Sequence, residues 1–69
     1  MNKKKVYLSD LRKAHKLSQR DLARELNVSY GLINAYENGT RNPSYGRAKE
    51  IANLFNVSLD CLSFSNLGK

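Results

Sequence analysis

The residues of this 69-residue chain that could do covalent chemistry are few and scattered. Its acids, Asp10, Asp21, Glu25, Glu37, Glu50 and Asp60, are spread over separate helix surfaces. General acid–base work needs such groups gathered on one substrate, and no nucleophile, base and oxyanion-stabilising set can be collected from them. His15 is the only histidine and Cys61 the only cysteine, so an internal disulfide and the familiar zinc spacings are excluded. The expectation is a chain that is not an enzyme and needs no metal, cofactor or small-molecule ligand. Recognition through hydrogen bonds remains. At about 100° per residue, Tyr30, Gly31, Asn34 and Ala35 share one helix face, while Leu32, Ile33 and Tyr36 lie opposite. The first face is uncharged and carries only small or hydrogen-bonding side chains, whereas a solvated face in so basic a chain would normally carry charge. It is shaped to enter a groove.

A chain of this length makes one domain with a modest core. Twelve Lys and Arg against six Asp and Glu give a formal net charge of +6, which favours a polyanionic partner. No apolar run approaches the roughly 20 residues needed to span a bilayer, and "MNKKKVYLSD" has no apolar stretch of signal-peptide length. The Lys3–Lys4–Lys5 cluster is short for a polybasic membrane anchor. These features point to a cytoplasmic protein without a membrane partner.

Helical spacing dominates, and no segment alternates as a half-buried strand would. Five short helices are predicted. The first runs from about Val6 to His15, behind a basic, flexible arm of residues 1–5. Ser18 caps the second, with Asp21 placed for a capping box, and Leu22, Ala23 and Leu26 form its buried stripe. Asn27 suits a left-handed turn, Ser29 caps the third helix to about Glu37, and Gly39 stops it. Pro43 and Ser44 start the fourth, where Tyr45, Ala48, Ile51, Ala52 and Phe55 recur on one face. Ser58 caps a last turn with Leu59 and Leu62, and residues 65–69 are expected to fray. The second and third helices, joined by a few polar residues and sharing an apolar interface, have the layout of a helix-turn-helix.

The stretch "LSQRDLARELNVSYGLINAYENGTRNPS", followed by "IANLFNVSLDCL", resembles the Cro and phage-repressor type helix-turn-helix family over about Leu8 to Leu62. The resemblance implies an all-α, compact bundle of five short helices, a lambda-repressor-like DNA-binding domain. It further implies a small transcriptional repressor of bacterial or phage origin, acting as a homodimer on an inverted-repeat operator in double-stranded DNA, with the third helix in the major groove. Ser29, Tyr30, Gly31, Asn34 and Ala35 would then read bases, since an Asn can pair bidentately with adenine and a methyl can pack on thymine. By the same analogy Ser18 and Gln19, at a positive helix end, and Asn38, Thr40 and Arg41, in the following loop, would hold phosphates. Arg12 and Glu37 match positions that commonly pair between the first and third helices. Leu59, Cys61, Leu62 and Phe64 match a segment that packs against a second subunit.

Three residues depart from the family pattern. Lys16 stands where a turn residue such as glycine is usual, which implies either a different end to the first helix or left-handed strain, Gly31 is unusual inside a recognition helix, and Ala35 lacks the polar group of many relatives. Other residues have plain readings: Tyr36 in the core, His15 at a helix end, Asp21 with Arg24 as a surface pair. The competing functional class is a protein interaction module, an antitoxin or adaptor built on the same fold, which a long unpaired apolar patch around Leu59 to Phe64 would favour.

Overall fold

The computed structural model describes residues 5–64. Two residues in extended conformation, β1 (Val6–Tyr7), lead into α1 (Leu8–Ala14), followed by α2 (Gln19–Leu26), α3 (Tyr30–Asn38) and α4 (Tyr45–Phe55). A 3-10 turn (Leu59–Cys61) and a second extended pair, β2 (Leu62–Ser63), complete the described chain.

The caps follow from residue type. Ser18 Oγ accepts from the Asp21 N–H at 2.9 Å while the Asp21 carboxylate accepts from the Ser18 N–H at 2.9 Å, a reciprocal box that starts α2. Ser29 Oγ accepts from the Leu32 N–H at 3.1 Å and Ser44 Oγ from the Arg47 N–H at 3.2 Å, starting α3 and α4. Ends are made by left-handed residues: Asn27 at φ 59° after α2, Gly39 at φ 85° after α3, and Asn56 at φ 57° after α4. Asn and Gly tolerate this region best. Lys16, also left-handed at φ 60°, ends the α1 turn without that advantage.

The architecture differs from five helices in two places. The last helical piece is a three-residue 3-10 turn, so four α-helices are present among the described residues. At the other end, α1 begins at Leu8 rather than Val6, because Val6 and Tyr7 pair in parallel with Leu62 and Ser63. No side chain caps α1, and Tyr7 at φ −91°, ψ 147° carries the extended backbone directly into the helix. Pairing gives the backbone groups of both chain ends partners that a frayed helix start would leave to water. It also draws Leu62 into the interior. The expected arm of residues 1–5 lies outside the described residues except for exposed Lys5, and the tail 65–69 lies wholly outside them.

Leu8, Leu22, Ile33 and Ile51 are fully buried, one from each α-helix. Leu11, Ala23, Leu26, Tyr36, Ala52, Phe55 and Leu62 complete the core around them. Ala23 carries no more than a methyl group, and the Val28 N–H donates to its carbonyl at 2.9 Å where the chain turns from α2 towards α3. Tyr45 is not on the buried face of α4: it is 71% exposed in the first turn, with the Lys49 ammonium 5.6 Å from its ring centroid.

Candidate nucleic-acid interface

The outward face of α3 is set by what its inward face does. Ile33 is fully buried and Tyr36 is 4% exposed, its ring edge-on to Phe64 at 6.1 Å between centroids. These anchors turn Tyr30, Gly31 and Asn34 to the surface, while Ala35 is half-buried. Ser29 is exposed at the start of the helix.

The far end of α3 is held to α1 and α2 by a cluster of polar side chains. Arg12 Nε donates to Glu37 Oε2 at 2.7 Å, and Arg12 Nη2 to Glu37 Oε1 at 3.1 Å, a two-pronged pair with side chains only 11% and 9% exposed. The third prong, Arg12 Nη1, donates to the Leu17 carbonyl at 2.9 Å and so ties down the α1–α2 connection. Gln19 Nε2 donates to Glu37 Oε1 at 2.9 Å. Three elements therefore meet on one carboxylate, and the buried charges are matched in the way a low-dielectric site demands.

After α3 the loop folds back on a single acceptor. The Ala35 carbonyl accepts from the Gly39, Thr40 and Arg41 N–H groups at 3.0, 3.1 and 3.3 Å. Asn38 Oδ1 accepts from the Thr40 N–H at 3.1 Å and from the Thr40 hydroxyl at 2.8 Å. The exposed Thr40 hydroxyl thus donates within the loop, and the exposed Asn38 amide and Arg41 side chain carry its other side-chain donors.

Two contacts carry no local sequence signal. The Gln19 side chain, a phosphate ligand by the family resemblance, donates through Nε2 to Glu37 Oε1, which leaves one amide N–H and the backbone N–H in the first turn of α2 for another acceptor. Arg20, in that same turn, lies with its guanidinium carbon 4.7 Å from the centroid of the Tyr30 ring. Both contacts join the start of one helix to a residue far along the chain, and no local spacing signals such a pair. His15 sits at the end of α1, its ring edge-on to Phe55 at 4.9 Å. Asp21 pairs with Arg24 at 3.4 Å on the surface. The Ser18 backbone N–H, then the Ser18 side chain, holds the Asp21 carboxyl below its ordinary 3.8.

The four residues expected at a subunit contact divide. Leu62 is 9% exposed and belongs to the chain's own core, where the β1–β2 pairing places it. Leu59 and Phe64 pack against the core and keep partial exposure, as does Cys61. Among the described residues no helix is long and apolar enough to cross a membrane.

A family model described as helix-turn-helix matches residues 8–60. The chain is 40% identical over 55 residues to the uncharacterized HTH-type transcriptional regulator YqaE of Bacillus subtilis, covering 80% of this chain and 47% of that one. It is 42% identical over 59 residues to the uncharacterized HTH-type transcriptional regulator MJ0272 of Methanocaldococcus jannaschii, covering 86% of this chain and 83% of that one. The alignment thus spans about half the length of the Bacillus relative. No solved structure matches the chain significantly. With the α2–turn–α3 geometry and the match over most of its length, the chain belongs to the Cro and phage-repressor type helix-turn-helix family.

Proposed function

We propose that this chain binds double-stranded DNA sequence-specifically and acts as a transcriptional repressor, a non-catalytic role, with α3 in the major groove and two copies on an inverted-repeat operator. One observation carries the reading. The face of α3 opposite Ile33 and Tyr36 presents Tyr30, Gly31 and Asn34 without a charge, on a molecule of net charge +6, while Arg12, Gln19 and Glu37 hold the helix at a fixed angle. A rigid, uncharged, hydrogen-bonding helix face on a basic body fits a groove lined by phosphates.

In this reading Asn34 is the principal adenine reader, Tyr30 and Ser29 reach neighbouring base edges, and Ala35 offers a methyl. Gly31 lets the backbone come close. The first-turn N–H of Gln19 and the Ser18 hydroxyl hold one phosphate, and Arg41 with the Asn38 amide holds another. Thr40 shapes that loop through Asn38. The partly exposed Leu59, Cys61 and Phe64 form the contact between subunits.

Selection from a random double-stranded library tests this. The expected product is an inverted repeat with half-site centres about one helical turn, roughly 34–36 Å, apart. Recovery of no motif at moderate salt refutes it and favours the interaction-module reading. Within a recovered site, Asn34→Ala relaxes preference at one base position, whereas Arg41→Ala weakens binding to all sequences and flattens the salt dependence.

A further inference from the structure

Among the described arginines, Arg12, Arg24 and Arg47 each meet a carboxylate, with Glu37, Asp21 and Glu50 respectively. Arg20 and Arg41 form no such ion pair among the described residues. The guanidinium of Arg20 lies over the face of Tyr30, 4.7 Å from guanidinium carbon to ring centroid. Arg20 also sits in the first turn of α2, beside the positive end of the helix dipole, where a cation is disfavoured. Neither ion pairing nor helix stability accounts for an arginine there.

Its surroundings are those of a reading group. Tyr30 is the first residue of α3, exposed at 43%, and recognition helices meet base edges with their N-terminal residues. The next residue, Gly31, has no side chain, and a Cβ built on it would meet nothing within 4 Å beyond its own chain neighbours and helix backbone, so no other part of the fold covers this stretch of α3. An arginine lying on a ring is fixed in plane, and its edge N–H groups stay free in a fork that matches the O6 and N7 acceptors of guanine.

We propose that Arg20 is a specificity-determining residue that reads a guanine in each half-site, and that Tyr30 is the positioning residue whose ring holds its guanidinium plane. The inference rests on the reading of α3 as a major-groove helix and adds to it the base identity at one position. Because the reader comes from α2, the face of α3 alone does not contain the whole recognition code.

The test uses duplexes carrying the selected site, with each half-site position varied in turn. Wild-type protein prefers G·C over A·T at one position by about 5- to 150-fold. Replacing that guanine by 7-deazaguanine, which lacks the N7 acceptor, lowers affinity. Arg20→Ala brings the ratio there to near one and leaves the other positions unchanged, with an unaltered circular dichroism spectrum. Tyr30→Leu reduces the same ratio, and Tyr30→Phe, which keeps the ring face, preserves it. The assignment is overturned if Arg20→Ala weakens binding equally on every sequence, as loss of a phosphate contact would, or if the guanine preference survives it. Failure of the wild-type protein to select any site overturns the DNA reading itself.

Discussion

The Arg12–Glu37–Gln19 cluster makes the sharpest energetic prediction. Glu37→Ala removes the acceptor of three hydrogen bonds, two from Arg12 at 2.7 and 3.1 Å and one from Gln19 at 2.9 Å. It leaves a guanidinium that is 11% exposed with only the Leu17 carbonyl as partner. An uncompensated charge of this kind costs about 3–5 kcal/mol. At about 0.05–0.15 kcal/mol per residue, a 69-residue chain has roughly 3–10 kcal/mol in all, so the variant should lose from about a third to all of its stability. Arg12→Ala should cost a similar amount, because it strands the carboxylate. The double variant should cost little more than either single one, a coupling nearly as large as one single loss, about 3 kcal/mol or more. Glu37→Gln can fill one acceptor site but turns an NH2 towards a donor at the other, and a loss of about 1.5–3 kcal/mol is expected. Urea unfolding followed by circular dichroism measures all four variants. If Glu37→Ala costs under about 1 kcal/mol, as an exposed pair would, or if the single losses add within about 0.5 kcal/mol, the cluster is not what fixes α3.

Three further outcomes are expected. Lys16→Gly relieves a left-handed residue at φ 60° and should stabilise the fold by about 1 kcal/mol in thermal or urea unfolding, with DNA affinity unchanged. Gly31→Ala should gain up to about 1 kcal/mol of helix stability, since its Cβ enters open space, while weakening binding to the selected site; Gly46→Ala, equally open in the first turn of α4, is the reference for the stability gain. Asp21 titrates below its ordinary 3.8, so the stability its box contributes is complete above that value and is lost as pH falls through the lower folded-state value. A melting series from pH 7 to 2 should therefore show a steeper acid limb for wild type than for Asp21→Asn, and identical limbs would count against the box.

Much of the scaffold was legible because its signals are local. Ser18, Ser29 and Ser44 announce their helices by a hydroxyl two or three residues ahead of unpaired N–H groups, and Asn27 and Gly39 announce their ends by tolerance of positive φ. The β1–β2 pairing was not legible: two residues are too few to show alternation, and their partners lie 56 positions away. Tyr45 was misplaced for a related reason. Its spacing agrees with the apolar stripe, yet α4 buries that stripe only from Ala48 onward. At the candidate interface, the inward and outward faces of α3 followed from periodicity alone. The partners of Gln19 and Arg20 did not, because they depend on how close the start of α2 comes to the two ends of α3.

That arrangement has a consequence for how recognition could change. The inward residues of α3 are tied to the fold through burial of Ile33 and Tyr36 and through the bonds of Glu37, so substitutions there alter stability and helix angle together. Asn34 is exposed on the opposite face, and surface substitutions away from caps and networks usually stay within about 0.5 kcal/mol. Arg20 and Tyr30 are both exposed and are joined to each other. A change of preferred base through these residues would thus leave the scaffold nearly untouched, whereas a change in helix angle would have to pass through Glu37. Preference and geometry are therefore separable in this chain, and the two sets of variants should show it: Asn34→Ala and Arg20→Ala should alter which sequence is bound at constant melting temperature, and substitutions at Arg12 and Glu37 should lower the melting temperature before any preference changes.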